Sequence, residues 1–565
     1  MRLTKSAGVL AASLVAVALA TSACSSSSKT STAAPKQISA TQEEINAQPV
    51  SALKQGGTLN LSMEQWSSQW NVFSANGNVD ADTDAVLSAT LPSPYNFSAN
   101  GTPTYNADYL TGEPTSTTVG GKQTVTYELN PKAVWSDGTP ITYKDYAANW
   151  KALNGNTANF APSYSVGYDQ ISSVAEGKNP YEVVVTYATP FSDWKSLFSP
   201  LYPASEYNTA DEFNKGLLTS LGLSGGPFIQ GSVNQTDQTV TLVPNPKWWG
   251  SKPVLSSIVF KTIANTATAQ AFANGEIDSF DIGVDATAYK TALTTKNATV
   301  LQAGGPDYRA LTINAQSTDL TDVQVRQAVA EALDRTAIAK SDLTGLPASQ
   351  VLVNNHFYMP NQAGYANTAG AVGVYSVSAA AKLLDAAGWT LPAGATYRTK
   401  GGKELDLSLL IPSDTSVATN ESTLITAMLK QVGIKVTTTS EGDPFFTDIA
   451  AGKFDLTVFT WEGTDFPASS SISLYQNVQS GNNWGQNYAR VGNASIDTTM
   501  NTAVSETDPA TTIADINKAD AAIWNEAGVI PFYQRPELEG QVKNLANYGA
   551  FGFANVIWQN VGFTK

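Results

Sequence analysis

The sequence predicts an α/β protein of two or three lobes, and three observations carry that expectation. About 500 residues follow a polar N-terminal stretch, enough for several compact units. The second half alternates helical and strand patterns, and the first half alternates strands with turns around one amphipathic helix.

The globular part begins at the turn Gly56-Gly57, which leads into a strand at Thr58-Leu59-Asn60-Leu61-Ser62. A strand from Thr124 to Leu129 is followed by the turn Ser136-Asp137-Gly138-Thr139-Pro140. Tyr146 and Trp150, four apart, then mark a helical face. Val183 to Tyr187 reads as a strand, and Glu206 to Leu221 as a mainly helical segment.

Further on, Asp322 can cap a helix whose apolar positions Val325, Val329 and Leu333 recur at helical spacing. Ala379 to Ala387, closed by Gly388, predicts a second helix, and Leu424 to Val432, closed by Gly433, a third. Ile434 to Thr438 is a strand, Phe445 to Ala451 a short helix, and the alternation of Phe454, Leu456 and Val458 another strand. Strand, helix and strand in succession imply a right-handed parallel crossover. Loops leaving the carboxyl ends of such strands line ligand crevices, so Trp461-Glu462-Gly463-Thr464-Asp465-Phe466 is expected to face a cleft.

The N-terminus carries an address. Arg2 and Lys5 precede an apolar run from Ala7 to Ala20 and small residues ending at Ala23 and Cys24, the order and size of a secretory signal. The run is shorter than the ~20 residues a permanent membrane span needs. Cleavage between Ala23 and Cys24 resembles the lipoprotein signal, in which the exposed thiol is acylated. Ser25 to Ser28 and the Ser-, Thr-, Ala- and Pro-rich stretch to Pro49 read as a flexible tether. Removing the signal takes away two positive charges, so the formal charge of −15 becomes −17. Nucleic acid is therefore excluded as a partner, because phosphate binding needs a basic surface. Cys24 is the single cysteine, so no internal disulfide can form and stability must come from the core.

Several short patterns invite a catalytic or metal-binding reading, and context defeats each. Gly222-Leu223-Ser224-Gly225-Gly226 fits the nucleophile elbow G-x-S-x-G, but the strand pattern Thr239 to Val243 follows where a helix is required. A triad would also need His356, the only histidine, which has no orienting carboxylate nearby in sequence. Asp80, Asp82 and Asp84 have the first spacings of a calcium loop, yet Ala85 replaces the turn glycine and Leu91 the bidentate Glu. They read instead as a solvated helix start. One histidine and one cysteine leave no Cys/His metal cluster, and His356 reads as an ordinary surface or packed residue. Among 48 acids a glycosidase pair could always be drawn, so none is informative.

Nine segments, in order, resemble the extracytoplasmic solute-binding proteins that serve ABC importers of oligopeptides and dipeptides. They are Gly56 to Leu59, Thr126 to Thr142, Gly225-Gly226-Pro227-Phe228, Asn245 to Gly250, Gly275-Glu276-Ile277-Asp278, Asp322 to Arg335, Ala379 to Trp389, Phe454-Asp455-Leu456 and Ile530-Pro531-Phe532-Tyr533. The resemblance implies a two-lobed periplasmic-binding-protein fold of class II type with an additional smaller domain and a ligand cleft between the lobes. On that template 1–23 is the signal and 24–53 the lipidated tether. Lobe I comprises 54–90, 222–308 and 536–565, the additional domain 91–221, and lobe II 309–535.

The same resemblance implies a monomeric binder, not an enzyme and without cofactor, that closes on a peptide and docks on a permease with its ATPase subunits. A bound peptide would lie extended as an added strand. Asp465 is the match to an aspartate that takes the peptide α-ammonium, while Trp461 and Tyr533 match cleft-lining positions. Glu462, Gly463 and Thr464 share the Asp465 loop, and Trp66 and Trp70 are weaker candidates for contact. Other members of the family bind nickel, which one histidine disfavours, or oligosaccharides and other solutes. A surface receptor or chaperone-like protein using the fold without transport is the alternative from another class.

Overall fold

A computed structural model describes residues 43–75, 77, 81–413, 415–442, 444–477 and 484–565. The signal sequence, Cys24, most of the tether and Asp80 therefore lie outside the described residues. Among the described residues, ten strands form one sheet that runs through both lobes. In chain order they are β1 (Thr58–Met63), β2 (Phe228–Asn234), β3 (Thr239–Pro244), β4 (Ser257–Thr262), β5 (Ser279–Asp281), β6 (Ala298–Ile313), β7 (Asp406–Pro412), β8 (Lys435–Glu441), β9 (Leu456–Glu462) and β10 (Val529–Val542). Their order across the sheet is β8-β7-β9-β6-β10-β5-β1-β4-β3-β2.

The direction of the strands creates a cleft. In one lobe β4 and β5 run parallel to β1, and in the other β8 and β9 run parallel to β7. Register then puts the carboxyl ends Met63, Thr262 and Asp281 on one edge, and Pro412, Glu441 and Glu462 on another. Asp281 lies opposite Glu539 of β10, and Glu462 opposite Asp307 of β6, so both edges face the middle of the two long strands. A crevice outside the carboxyl ends of parallel strands is where ligands bind in open α/β sheets. Here two such crevices face each other.

The strands β6, of 16 residues, and β10, of 14, are the crossing. They pair antiparallel at both ends, but the register breaks between Gly304 and Tyr308 and again between Arg309 and Ala310. At Gly305 a Cβ would lie 2.7 Å from the carbonyl oxygen of Arg535, so the close approach requires glycine. The Gln534 amide fills the gap by donating to Gly305 O at 2.7 Å. The lobe boundaries expected at 308/309 and 535/536 thus fall inside continuous strands.

The additional domain is built on an antiparallel sheet of Thr115–Val119, Lys122–Glu128, Glu182–Tyr187 and Ile171–Glu176. Its helix Tyr143–Leu153 opens on a capping box of Thr142 and Asp145. Tyr127, Tyr146 and Phe198 of this domain share one apolar core with Phe260 and Trp558 of lobe I. Trp66 and Trp70 meet edge-on at 5.7 Å within that core, and Trp70 is wholly buried.

Some expectations change. The helix capped by Asp322 ends at Glu331 and a second begins at Arg335, leaving Leu333 in the turn. The helix expected from Leu424 begins at Ser416, capped by Thr415, because its polar first turns hide the period. Glu206 to Leu221 forms only two short helices, Ala204–Tyr207 and Ala210–Lys215. Residues 43–53, expected to belong to the flexible tether, are held on the body. Glu44 bridges Ala550, Asn547 exchanges bonds with Gln48, and Leu53 pairs with Thr564. The crossover is parallel as expected, with β7 lying between β8 and β9. Ser224 is buried in a turn entering β2, its hydroxyl 2.6 Å from Thr90 O and 2.5 Å from Phe228 O.

One buried ion pair ties the crossing to lobe II. Arg309 of β6 donates through Nε to Glu421 Oε1 at 2.9 Å and through Nη2 to Glu421 Oε2, while Nη1 reaches Thr460 at 3.0 Å. Glu421 is wholly buried on helix Ser416–Gln431. Asp342 packs beside it, and burial together with Glu421 pushes its carboxyl up. Glu421→Ala would strand the guanidinium in a buried site. It is expected to cost about 3–5 kcal/mol, read by denaturant unfolding.

Candidate functional site

The loop 461–466 leaves the carboxyl end of β9 at the cleft, and its residues take different roles. Trp461 stacks on Tyr488 at 5.7 Å and 29° and packs on Phe459 at 4.9 Å. Its indole N–H is buried without a partner among the described residues. Glu462 follows, in register with Asp307 of β6. It keeps contact with solvent, yet the enclosing walls, Asp307 and Asp84 push its carboxyl up to about 7. Gly463 donates to Pro306 O at 3.1 Å, and a Cβ there would come within 2.6 Å of the same oxygen. That contact presses the loop onto the cleft floor.

Thr464 shares a hydroxyl bond of 2.6 Å with Ser470, and its carbonyl accepts from Gln362 at 2.8 Å. Both bonds fix the backbone just before Asp465. The Asp465 carboxyl is pushed up to about 7 by burial. Its Oδ1 is buried with no hydrogen-bond partner among the described residues. It lies against Gly101 of the additional domain, where an added Cβ would stand 3.1 Å from it. Gly101 has φ +75°, a left-handed turn that glycine adopts without strain.

Two cavities meet at Asp465. One, of about 340 Å³, lies between 100–103 and 192–194 of the additional domain and 465–468 and 509–513 of lobe II. The other, of about 280 Å³, is walled by Leu87, Tyr95, Phe97, Tyr109, Trp248 and Trp558. A third cavity of about 340 Å³ lies in the interlobe crevice between Asn265 with Asp281–Asp285 and Thr415–Val417, with Arg309 and Arg535 beside it. Arg535 pairs with Asp307 at 2.7 Å.

Tyr533 requires a correction. It is wholly buried, opposite Arg309 in the middle of β10, and faces Asp342 and Glu421. What reads as a strand end is the interior of a crossing strand that runs on to Val542, so this side chain belongs to the core of lobe II. His356 is packed, its ring nitrogens 2.8 Å from Asp520 Oδ1 and Val529 O. The fold thus supplies an orienting carboxylate that is 164 residues away in sequence. Sequence reasoning missed Gly101, Gln362 and Arg535. The turn dipeptide Asn100-Gly101 was a signal for the first; nothing local marks the other two.

The family model described as bacterial extracellular solute-binding proteins, family 5 Middle, matches residues 114–483. The oligopeptide-binding protein OppA of Mycobacterium tuberculosis (strain H37Rv) is 33% identical over 559 residues, covering 97% of this chain and 92% of its own. Among solved structures, the periplasmic EDTA-binding protein EppA is 26% identical with a TM-score of 0.82, over 91% of this chain and 98% of its own. The oligopeptide-binding protein AppA of Bacillus subtilis, in complex with a nonapeptide, shares the fold at 20% identity, with a TM-score of 0.72 over 91% of this chain and 100% of its own. With two lobes facing across one cleft and a match over most of its length, the chain belongs to the bacterial extracellular solute-binding proteins of family 5.

Proposed function

We propose that the protein captures peptides in the cleft between its lobes and presents them to an ABC permease with its ATPase subunits. The observation that carries this reading is the Asp465 carboxylate, which has a buried oxygen without a partner among the described residues. It stands at the cleft of a chain similar over nearly its whole length to a relative named as oligopeptide-binding. A peptide α-ammonium supplies the opposite charge and the donors that this oxygen lacks. The unmatched Asp465 carboxylate, with Arg535 already paired, disfavours a free polyanionic chelator of the kind named for the EppA structure.

Capture and release require no bond to be made or broken. Ser224 and His356, the pair a serine hydrolase would need, are both buried with their polar atoms engaged elsewhere. Cys24 in this reading carries the lipid that keeps the binder on its permease's membrane, as a monomer. Mass spectrometry of small molecules released by denaturing the purified soluble form tests the ligand class. Mixed short peptides are expected; a uniform glycan would sink the reading, and binding of unfolded proteins in preference to peptides would favour a chaperone-like role.

Asp465→Asn should weaken free peptides by roughly ten- to a hundredfold, the worth of a charged hydrogen bond of about 1.5–3 kcal/mol. N-acetylated peptides should bind the parent poorly, in titration calorimetry; equal affinity for both forms would remove Asp465 from this role. Because burial holds the carboxyl near about 7, affinity should fall as the pH drops through that value and protonates it. Asp465→Asn should flatten the profile. For folding, the sign reverses: a raised carboxyl favours the folded state while protonated, and that contribution is lost as pH rises through about 7. Cys24→Ala should release folded, peptide-competent protein to the medium, and a fatty-acid analogue should label the parent but not the variant.

A further inference from the structure

The additional domain meets lobe II beside the loop that carries Asp465, and contacts of different chemistry make the junction. Asp193 Oδ2 accepts the backbone N–H of Ser469 at 2.8 Å. One residue earlier, the N–H of Ser192 donates to Val504 O at 2.8 Å. Phe97 meets Phe466 edge-on, with ring centroids 5.5 Å apart.

Both ends of the additional domain run into strands of lobe I, β1 on one side and β2 on the other. No covalent path joins it directly to lobe II. A rotation of the lobes about the β6 and β10 crossing that parts the additional domain from lobe II breaks these contacts, and its reversal remakes them. Ser469 lies in the short helix Pro467–Ser470, which begins two residues after Asp465. The early N–H groups of a helix have no intrahelical acceptor. Here the acceptor for one of them comes from the opposite side of the cleft.

The same junction encloses the cavity of about 340 Å³ that Asp465 and Asp193 both line. The Asp465 loop is thus fixed from within lobe II by the Thr464 bonds and from outside by Asp193. We propose that Asp193 is a closure latch: a positioning residue that accepts the Ser469 N–H when the additional domain swings onto lobe II, holding the Asp465 loop around a bound ligand. The role assigned to the ligand rests on the peptide-capture reading, but the contacts do not. A ligand enclosed by closed lobes leaves only after they open, so the latch acts on dissociation.

The test uses the mature chain with Cys24→Ser, carrying spin labels at Val119→Cys in the additional domain and Lys430→Cys in lobe II, both exposed positions. Distance distributions are measured with and without a pool of synthetic tetrapeptides with free amino termini, and peptide dissociation is followed by stopped flow. Asp193→Ala should shift the distribution toward the open form and speed dissociation about tenfold or more. Asp193→Asn keeps an acceptor oxygen for the Ser469 N–H and should remain within about threefold of the parent. Unchanged distances and rates in Asp193→Ala would overturn the proposal, as would Asp193→Asn behaving like Asp193→Ala. If the tetrapeptides bind neither protein, the peptide reading fails by itself. The ligand-free distances then decide the latch, a shift toward open supporting it and no shift overturning it.

Discussion

The pairing of β6 with β10 is the constraint on which the rest depends. Two lobes separated by a cleft still share one hydrogen-bonded sheet, and the unpaired backbone groups of a severed sheet would be costly to bury. The break in register between Gly304 and Tyr308 reconciles these demands. Pairing persists on both sides of the break, so each lobe keeps its own ladder, while the short interval between them is held by Gln534 and the close approach at Gly305. The crossing also directs the carboxyl ends of both sets of parallel strands toward the same gap.

Charge in that gap follows from how each acid is surrounded. Glu462 and Asp465 are pushed up to about 7, the first by enclosure and neighbouring acids, the second by burial alone. Leaving the Asp465 carboxylate desolvated and unmatched costs folding stability. Its position at a cleft makes that cost useful, because a cationic ligand restores what desolvation removed. The Arg309–Glu421 pair one layer below is satisfied within the protein and positions helix Ser416–Gln431, whose N-terminal residues border the cleft. Residues a short distance apart on β6 and β9 thus divide between holding the fold and facing a ligand.

The additional domain is more than an appendage. Its core is continuous with that of lobe I, while Gly101, Asp193 and Phe97 touch the Asp465 loop of lobe II. The site is therefore assembled from three segments far apart in sequence.

Local chemistry was legible in the sequence. Phe445 to Ala451 forms the expected helix, with Gly452 left-handed behind it, and Gly388 and Gly433 likewise follow their helices with positive φ, because capping and periodicity act within a few residues. The strand, helix and strand around it placed the loop 461–466 at a cleft, and the nine spaced segments marked the family. Tertiary structure alone decided that Tyr533 belongs to the core, that Asp520 faces His356, that residues 43–53 lie on the body and that Gly101 closes against Asp465. Each of these depends on which distant segment desolvates or pairs with a residue. Sequence fixes a residue's own chemistry and its near neighbours; only the packed chain fixes the groups that surround it.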